Sequence, residues 1–270
     1  MSKISAQTDN QCFQHPRGNL MFPFSQERLI VALDAPTLEV AEQWLSELKG
    51  VIHYYKVGLE LFTAYGWKAV NLVKNHGGRV FLDLKLHDIP NTVSRTLAAV
   101  CEHEVDMVNV HALGGFEMMK MAREAVEKYS SGRVKKPGLI AVTILTSHDQ
   151  KSLSRELRVR GSVKDEVLHL AGLAKKAGLD GIVCSPEETS WVRKKFKRDF
   201  LIVTPGIRPI GADKGDQRRI HTPEKALKAG SDYVVIGRPI TQAANPKEAA
   251  LQILSAIVSS QSAEDPTPLK

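Results

Sequence analysis

The sequence predicts an α/β fold of one domain, the (β/α)8 or TIM barrel, and three observations carry that expectation. Eight short runs rich in β-branched residues alternate with longer segments of helical period, the signature of βα units in a parallel sheet. The first run is followed by Ala35-Pro36-Thr37 and not by a glycine-rich dinucleotide turn, which argues against a doubly wound open sheet, the other fold with this alternation. The length of 270 residues suits a single closed barrel, and a composition of 43% hydrophobic and 25% charged residues excludes disorder and collagen-like repeats.

Strands are expected at Leu29–Asp34, His53–Gly58, Arg79–Lys85, Met107–His111, Leu139–Leu145, Gly181–Cys184, Phe200–Thr204 and Tyr233–Gly237. Thr37 is placed to cap the first helix, Asn91 and Thr92 to open the helix after the third strand, and Thr222 with Pro223 to open the one after the seventh. Gly50, Gly178 and Gly230 stand where helices should stop. The barrel is assigned to residues 25–258. Residues 1–24, polar and punctuated by Pro16, Gly18 and Pro23, lack the apolar core of a signal peptide and read as a loose arm; residues 259–270 read as a polar tail. No window approaches the roughly 20 apolar residues of a membrane span, so a soluble chain is expected.

A formal charge of +7 favours anionic partners: nucleic acid, an acidic membrane surface or a phosphorylated metabolite. The basic patches Arg133, Lys135, Lys136 and Arg193, Lys194, Lys195, Lys197, Arg198 read more simply as solvated helix ends. Three cysteines without C-x-x-C spacing suggest neither a disulfide framework nor a zinc site, and point to a reducing cytoplasm.

A barrel interior is filled by branched apolar side chains, so charge near the C-terminal ends of strands marks a catalytic face. Asp34, Lys56, Asp83 and Lys85 are such residues on three consecutive strands. Asp83 and Lys85, two apart, should share one face of their strand, and Asp88 follows closely in D-L-K-L-H-D-I-P-N-T. A purely structural ion-pair network is a poor alternative, because burying charge is costly where apolar residues would serve. A Schiff base at Lys85 is disfavoured, since an adjacent carboxylate keeps the amine protonated. A second cluster, Thr204–Gln217 and Ile236–Thr241, follows strands seven and eight, where barrels commonly hold a phosphate; Gly237 permits close backbone approach and Arg238 offers a forked cation. The histidines lack metal-ligand spacing, with His111 at the end of strand four the one in a position to matter. No metal or organic cofactor is expected.

These motifs resemble the orotidine 5′-phosphate decarboxylase family. D-L-K-L-H-D-I-P-N-T matches its Asp, Lys, Asp signature, and Asp34, Lys56, Thr146, Arg208, Gln217 and Gly237–Arg238 follow in the family's order, over about Leu29 to Ile257. The resemblance implies cofactor-independent decarboxylation to UMP, with Lys85 as proton donor to ring carbon six, Asp83 beside the substrate carboxylate, and Asp88 and Lys56 completing the charged array. It implies ribose contacts from Asp34 and Lys56, a pyrimidine contact from Thr146, phosphate contacts from Gln217, Gly237 and Arg238, and loop ordering by Arg208. It further implies a homodimer in which Asp88 and Thr92 reach the neighbouring subunit's site. Two other readings compete: a metal-dependent sugar-phosphate barrel enzyme of epimerase or hexulose-phosphate synthase type, and a non-catalytic nucleotide or nucleic-acid binder. Against the latter, Asp83 and Asp88 would repel a polyanion.

Overall fold

The computed structural model describes residues 27–133, 135–208 and 221–262. Eight parallel strands close a barrel in chain order: β1 (Leu29–Ala32), β2 (Tyr54–Gly58), β3 (Arg79–Leu86), β4 (Met107–His111), β5 (Gly138–Val142), β6 (Gly181–Val183), β7 (Leu201–Thr204) and β8 (Tyr233–Ile236). Strand β8 pairs back onto β1, Leu29 opposite Val234 and Val31 opposite Ile236, which removes the sheet edge. The described helices are α1 (Leu38–Glu47), α2 (Leu59–Tyr65), α3 (Trp67–Asn75), α4 (Pro90–Glu102), α5 (Gly115–Ser130), α6 (Gln150–Arg155), α7 (Val163–Lys176), α8 (Pro186–Phe196), α9 (Pro223–Ala229), α10 (Arg238–Thr241) and α11 (Pro246–Ser262). Among the described residues no helix is long and apolar enough to cross a membrane.

The caps follow the sequence in most places. The Thr37 side chain accepts from Val40 N at the start of α1, and Thr222 accepts from Lys225 N at the start of α9. Gly230 ends α9 with φ +114°, a conformation that costs glycine little. Helix α4 differs. It begins at Pro90 and not at Asn91–Thr92, because proline's fixed φ suits the first helical position and the Asp88 carboxylate already takes the N–H of Ile89 at 2.6 Å. Helix α11 runs to Ser262, past the expected start of the polar tail at 259. The arm expected over residues 1–24 lies outside the described residues.

Strand alternation divides the apolar residues into two cores. Ile30, Tyr54, Phe81, Met107, Ile140, Leu201 and Tyr233 fill the barrel interior. Their neighbours Leu29, Val31, Tyr55, Val80, Val108, Leu139, Ile202 and Val234 face outward against the helices. The interior parity carried upward from Tyr54, Phe81 and Met107 reaches Lys56, Asp83 and Asn109, so three polar side chains stand on the inner face toward the C-terminal ends of β2, β3 and β4.

The opposite end of the barrel is fastened by a device used three times. Asp106, Asp180 and Asp232 each immediately precede an even-numbered strand. Each donates its N–H to a carbonyl of the preceding strand, Val80, Leu139 and Ile202 respectively, at 2.8 to 2.9 Å. Each carboxylate then accepts the N–H of that same residue at 2.7 to 2.8 Å. An arginine neutralises each one: Arg79 at Asp106, Arg123 at Asp180 and Arg193 at Asp232. The side chain thus supplies one more rung of strand pairing at the point where the main-chain ladder begins.

Candidate active site

The inner polar residues form a continuous line of alternating charge. Lys56 Nζ lies 2.9 Å from Asp34 Oδ1 and 3.4 Å from Asp83 Oδ2. Lys85 Nζ lies 2.8 Å from Asp83 Oδ1. The line runs from an exposed Asp34, through the largely buried Lys56 and the buried Asp83, to Lys85, whose side chain is 31% exposed and therefore accessible to a ligand. Burial alone would push the Asp83 carboxyl up, but Lys56, Lys85 and hydrogen bonds from Lys85 and Asn109 outweigh it and hold the group below its usual value. Burial alone would lower Lys56, yet the facing Asp83 and Asp34 carboxylates raise it, so this ammonium stays charged.

Local backbone shapes this line in two places. Gly58 leaves room for the Lys56–Asp34 pair, because a Cβ there would fall 2.7 Å from Lys56 Nζ and 3.0 Å from Asp34 Oδ1. Lys85 adopts φ +52°, a left-handed conformation unusual outside glycine, and the β3–β4 register shifts between Leu82 and Leu86. Asp83 and Lys85 do meet, as their spacing predicted, but across an irregular segment and not on one face of a regular strand.

One pocket takes in most of the expected site: Asp34, Lys56, Asp83, Lys85, Thr146, Arg208, Gly237 and Arg238 all line it, with apolar Ile144, Leu145, Val183 and Val235. Gly237 and Arg238 open the short helix α10 after β8, the strand beside β1, and both line the pocket. The backbone N–H of Arg208 donates to His221 O at 3.0 Å, and its guanidinium donates to Ile207 O at 3.0 Å. Asp88 and Thr92 do not line this pocket; both are exposed on the surface just before and within the first turn of α4. Gln217 lies outside the described residues. His111 stacks on His87 with ring centroids 5.5 Å apart, and burial, then the nearby His87, Lys85 and His148, bring its pKa down to about 4, so it is neutral near pH 7.

Two residues of the site carried no motif. Gly58 looked like an ordinary strand end. Asn109 sat within the run M-V-N-V-H, where the one available signal was a polar residue at an inward parity.

The fold and site together define a (β/α)8-barrel enzyme whose pocket brings a cationic, glycine-opened helix start after β8 together with a carboxylate–ammonium array on β1 to β3. The comparisons with known proteins agree on which one. Residues 27–253 match the model of the Orotidine 5′-phosphate decarboxylase / HUMPS family, and the chain belongs to that family. It is 47% identical to the orotidine 5′-phosphate decarboxylase of Moorella thermoacetica, over 86% of this chain and 93% of that one. It is 48% identical to the same-named protein of Syntrophotalea carbinolica, over 85% and 94%. Among solved structures, the orotidine 5′-phosphate decarboxylase of Lactobacillus acidophilus superposes with a TM-score of 0.75 at 38% identity, covering 85% of this chain and 98% of that chain.

Proposed function

We propose that this protein converts orotidine 5′-phosphate to UMP and CO2, the last step of de novo pyrimidine nucleotide synthesis, without a cofactor. The observation that carries the reading is the line Asp34–Lys56–Asp83–Lys85, which ends on a partly exposed ammonium within the pocket that also holds Gly237 and Arg238. The chemistry demands such an ammonium. Breaking the bond from ring carbon six to the carboxylate leaves an electron pair on that carbon with no adjacent group to delocalise it well. A fixed positive charge beside it lowers the barrier, and the same ammonium then delivers the proton that takes the place of CO2. Lys85 recovers its proton from solvent. Asp83 orients Lys85, and Lys56, paired with two carboxylates, keeps the array near neutrality. Asp34 and Lys56 bind the ribose hydroxyls, Thr146 the pyrimidine, and Gly237, Arg238 and Gln217 the phosphate, with Arg208 ordering the loop beside it.

Asp88 and Thr92 serve the pocket of a second copy of the chain in a homodimer. Their exposure away from their own pocket supports this, as do the apolar Ile89, 68% exposed, and Leu113, 43% exposed, on the same end of the barrel. The buried cysteines Cys101 and Cys184 fit a reducing cytoplasm.

The test is the absorbance loss of orotidine 5′-phosphate on adding purified protein, with and without EDTA, and identification of the product. Rapid loss to UMP that survives chelation is expected. Strict metal dependence, or turnover of sugar phosphates alone, would replace the proposal with the sugar-phosphate reading.

A further inference from the structure

Strands β3 and β4 do not pair residue for residue. Leu82 stands opposite Val108 and Leu86 opposite Val110, so Asp83, Leu84 and Lys85 together face the single residue Asn109. A bulge of this kind leaves backbone groups of the longer strand without ladder partners, and here it bends Lys85 into its left-handed conformation. The Asn109 side chain fills the gap. It is fully buried, its Oδ1 accepts the backbone N–H of Lys85 at 2.8 Å, and its Nδ2 donates to Asp83 Oδ1 at 2.7 Å. The amide can sit only this way round, because an N–H needs an acceptor and a carboxylate needs a donor. A carboxamide carries one carbonyl and one N–H-bearing nitrogen, as a peptide group does, so it substitutes for the missing rung.

We infer that Asn109 is a positioning residue for decarboxylation, a rung made from a side chain that fixes the Lys85 backbone and the Asp83 carboxylate at once. Asp83 Oδ1 receives both Asn109 Nδ2 and Lys85 Nζ, so the amide that anchors the backbone of Lys85 also aims the carboxylate that aims its ammonium. Asn109 does not line the pocket. Its effect therefore passes entirely through the two residues it holds. The inference rests on the decarboxylase reading, while the geometry it describes is open to test without turnover.

Four measurements on the full chain and its variants decide it. In Asn109→Ala, hydrogen exchange at the Lys85 amide should accelerate at least tenfold while that of Ile202, on β7 and held by Asp232, is unchanged. In the same variant kcat should fall at least tenfold, while the affinity for UMP, gripped at phosphate and ribose, stays within threefold. In the isosteric Asn109→Asp, the acceptor for Lys85 is kept and only the donor to Asp83 is lost. Two carboxylates in hydrogen-bond contact, faced by Lys56 and Lys85 and with His111 next along β4, need a proton between them to imitate the amide. The kcat of Asn109→Asp relative to wild type should accordingly decline as pH rises, which Asn109→Ala should not show. If Asn109→Ala does not fold, Asn109→Asp carries the test through its pH profile. A kcat within twofold of wild type in Asn109→Ala, a loss of kcat matched by an equal loss of UMP affinity, a flat pH ratio in Asn109→Asp, or unaltered exchange at Lys85 would overturn the inference. An inactive wild type with accelerated Lys85 exchange in Asn109→Ala would instead overturn the decarboxylase reading and leave the positioning role standing.

Discussion

Replacing Gly58 with alanine should cripple the site while leaving the barrel folded. The added Cβ would fall 2.7 Å from Lys56 Nζ and 3.0 Å from Asp34 Oδ1. Ordinary van der Waals contact begins near 3.4 Å, so the ammonium must retreat by about 0.7 Å. Lys56 is a flexible chain and can retreat, which keeps the cost to stability small. Gly58 has an extended backbone with φ −99°, so alanine brings no conformational strain, although as the N-cap of α2 it forfeits about 0.5–1 kcal/mol. For a chain of this size that amounts to a Tm drop of about 1–4 °C. The effect on function should be far larger. The retreat loosens Lys56 from Asp34 at 2.9 Å and alters its approach to Asp83 at 3.4 Å, so the carboxylate that orients Lys85 is re-aimed. Misplacement approaching 1 Å in a reacting constellation costs up to about 100-fold, so a fall of about 10- to 100-fold in kcat/KM is expected. Initial rates on orotidine 5′-phosphate and a melting curve on the same preparation read both quantities. Wild-type kcat/KM in a Gly58→Ala protein would refute the argument that the Lys56–Asp34 pair matters to turnover.

Three further outcomes follow from the same geometry. In the proposed homodimer, Lys85→Ala and Asp88→Ala should each be inactive yet folded, and mixing them under exchange conditions should restore about one quarter of wild-type activity, since half the dimers would be hybrids with one intact site each; no recovery from hybrids shown to form would mean that Asp88 serves its own subunit. His111 is held near a pKa of about 4, below its ordinary 6.5, so the unfolded chain binds the proton first and stability should fall as pH drops from 6.5 to about 4. The loss is capped at about 3 kcal/mol and reduced by the ring's partial exposure, and urea titrations across that window should show a shallower decline in His111→Gln. Asp232→Ala removes the acceptor for Ile202 N and leaves the half-buried Arg193 without its carboxylate, a destabilisation of about 3 kcal/mol, whereas Asp232→Asn keeps an acceptor and should lose about half of that. Turnover per folded molecule should be unchanged in both, because this staple lies at the opposite end of the strands from the pocket; a specific loss of kcat would show that the two ends are coupled.

The parts of the molecule that obey a period were readable from sequence, and the parts that break one were not. Eight strands were found because β-branched alternation and glycine or proline punctuation are local properties. Gly237 and Arg238 were placed in the pocket because they sit at the C-terminal end of β8, where the active face of any such barrel lies. The staples at Asp106, Asp180 and Asp232 went unread because each looks like a polar residue at the edge of a loop, and only the register reveals that it bonds back to the previous strand. Asp83 and Lys85 are the instructive case. Spacing of two predicted that they meet, and they do at 2.8 Å, yet between them the strand carries a bulge and a left-handed lysine.

That irregularity is where fold and chemistry constrain each other. A regular β3 would point Lys85 into the barrel on the same face as Asp83, with its N–H committed to a neighbouring strand. The bulge releases the Lys85 N–H, and one asparagine from β4 recaptures it while also holding the carboxylate. A left-handed lysine costs about 1–2 kcal/mol on its own. Two hydrogen bonds in a fully buried setting, one of them to a charged group, contribute about 2–4 kcal/mol together and offset it. The strain is thus kept only as long as Asn109 is present. Residue spacing along β3 can show that an acid and an amine are near each other, but the geometry between them is written on the neighbouring strand.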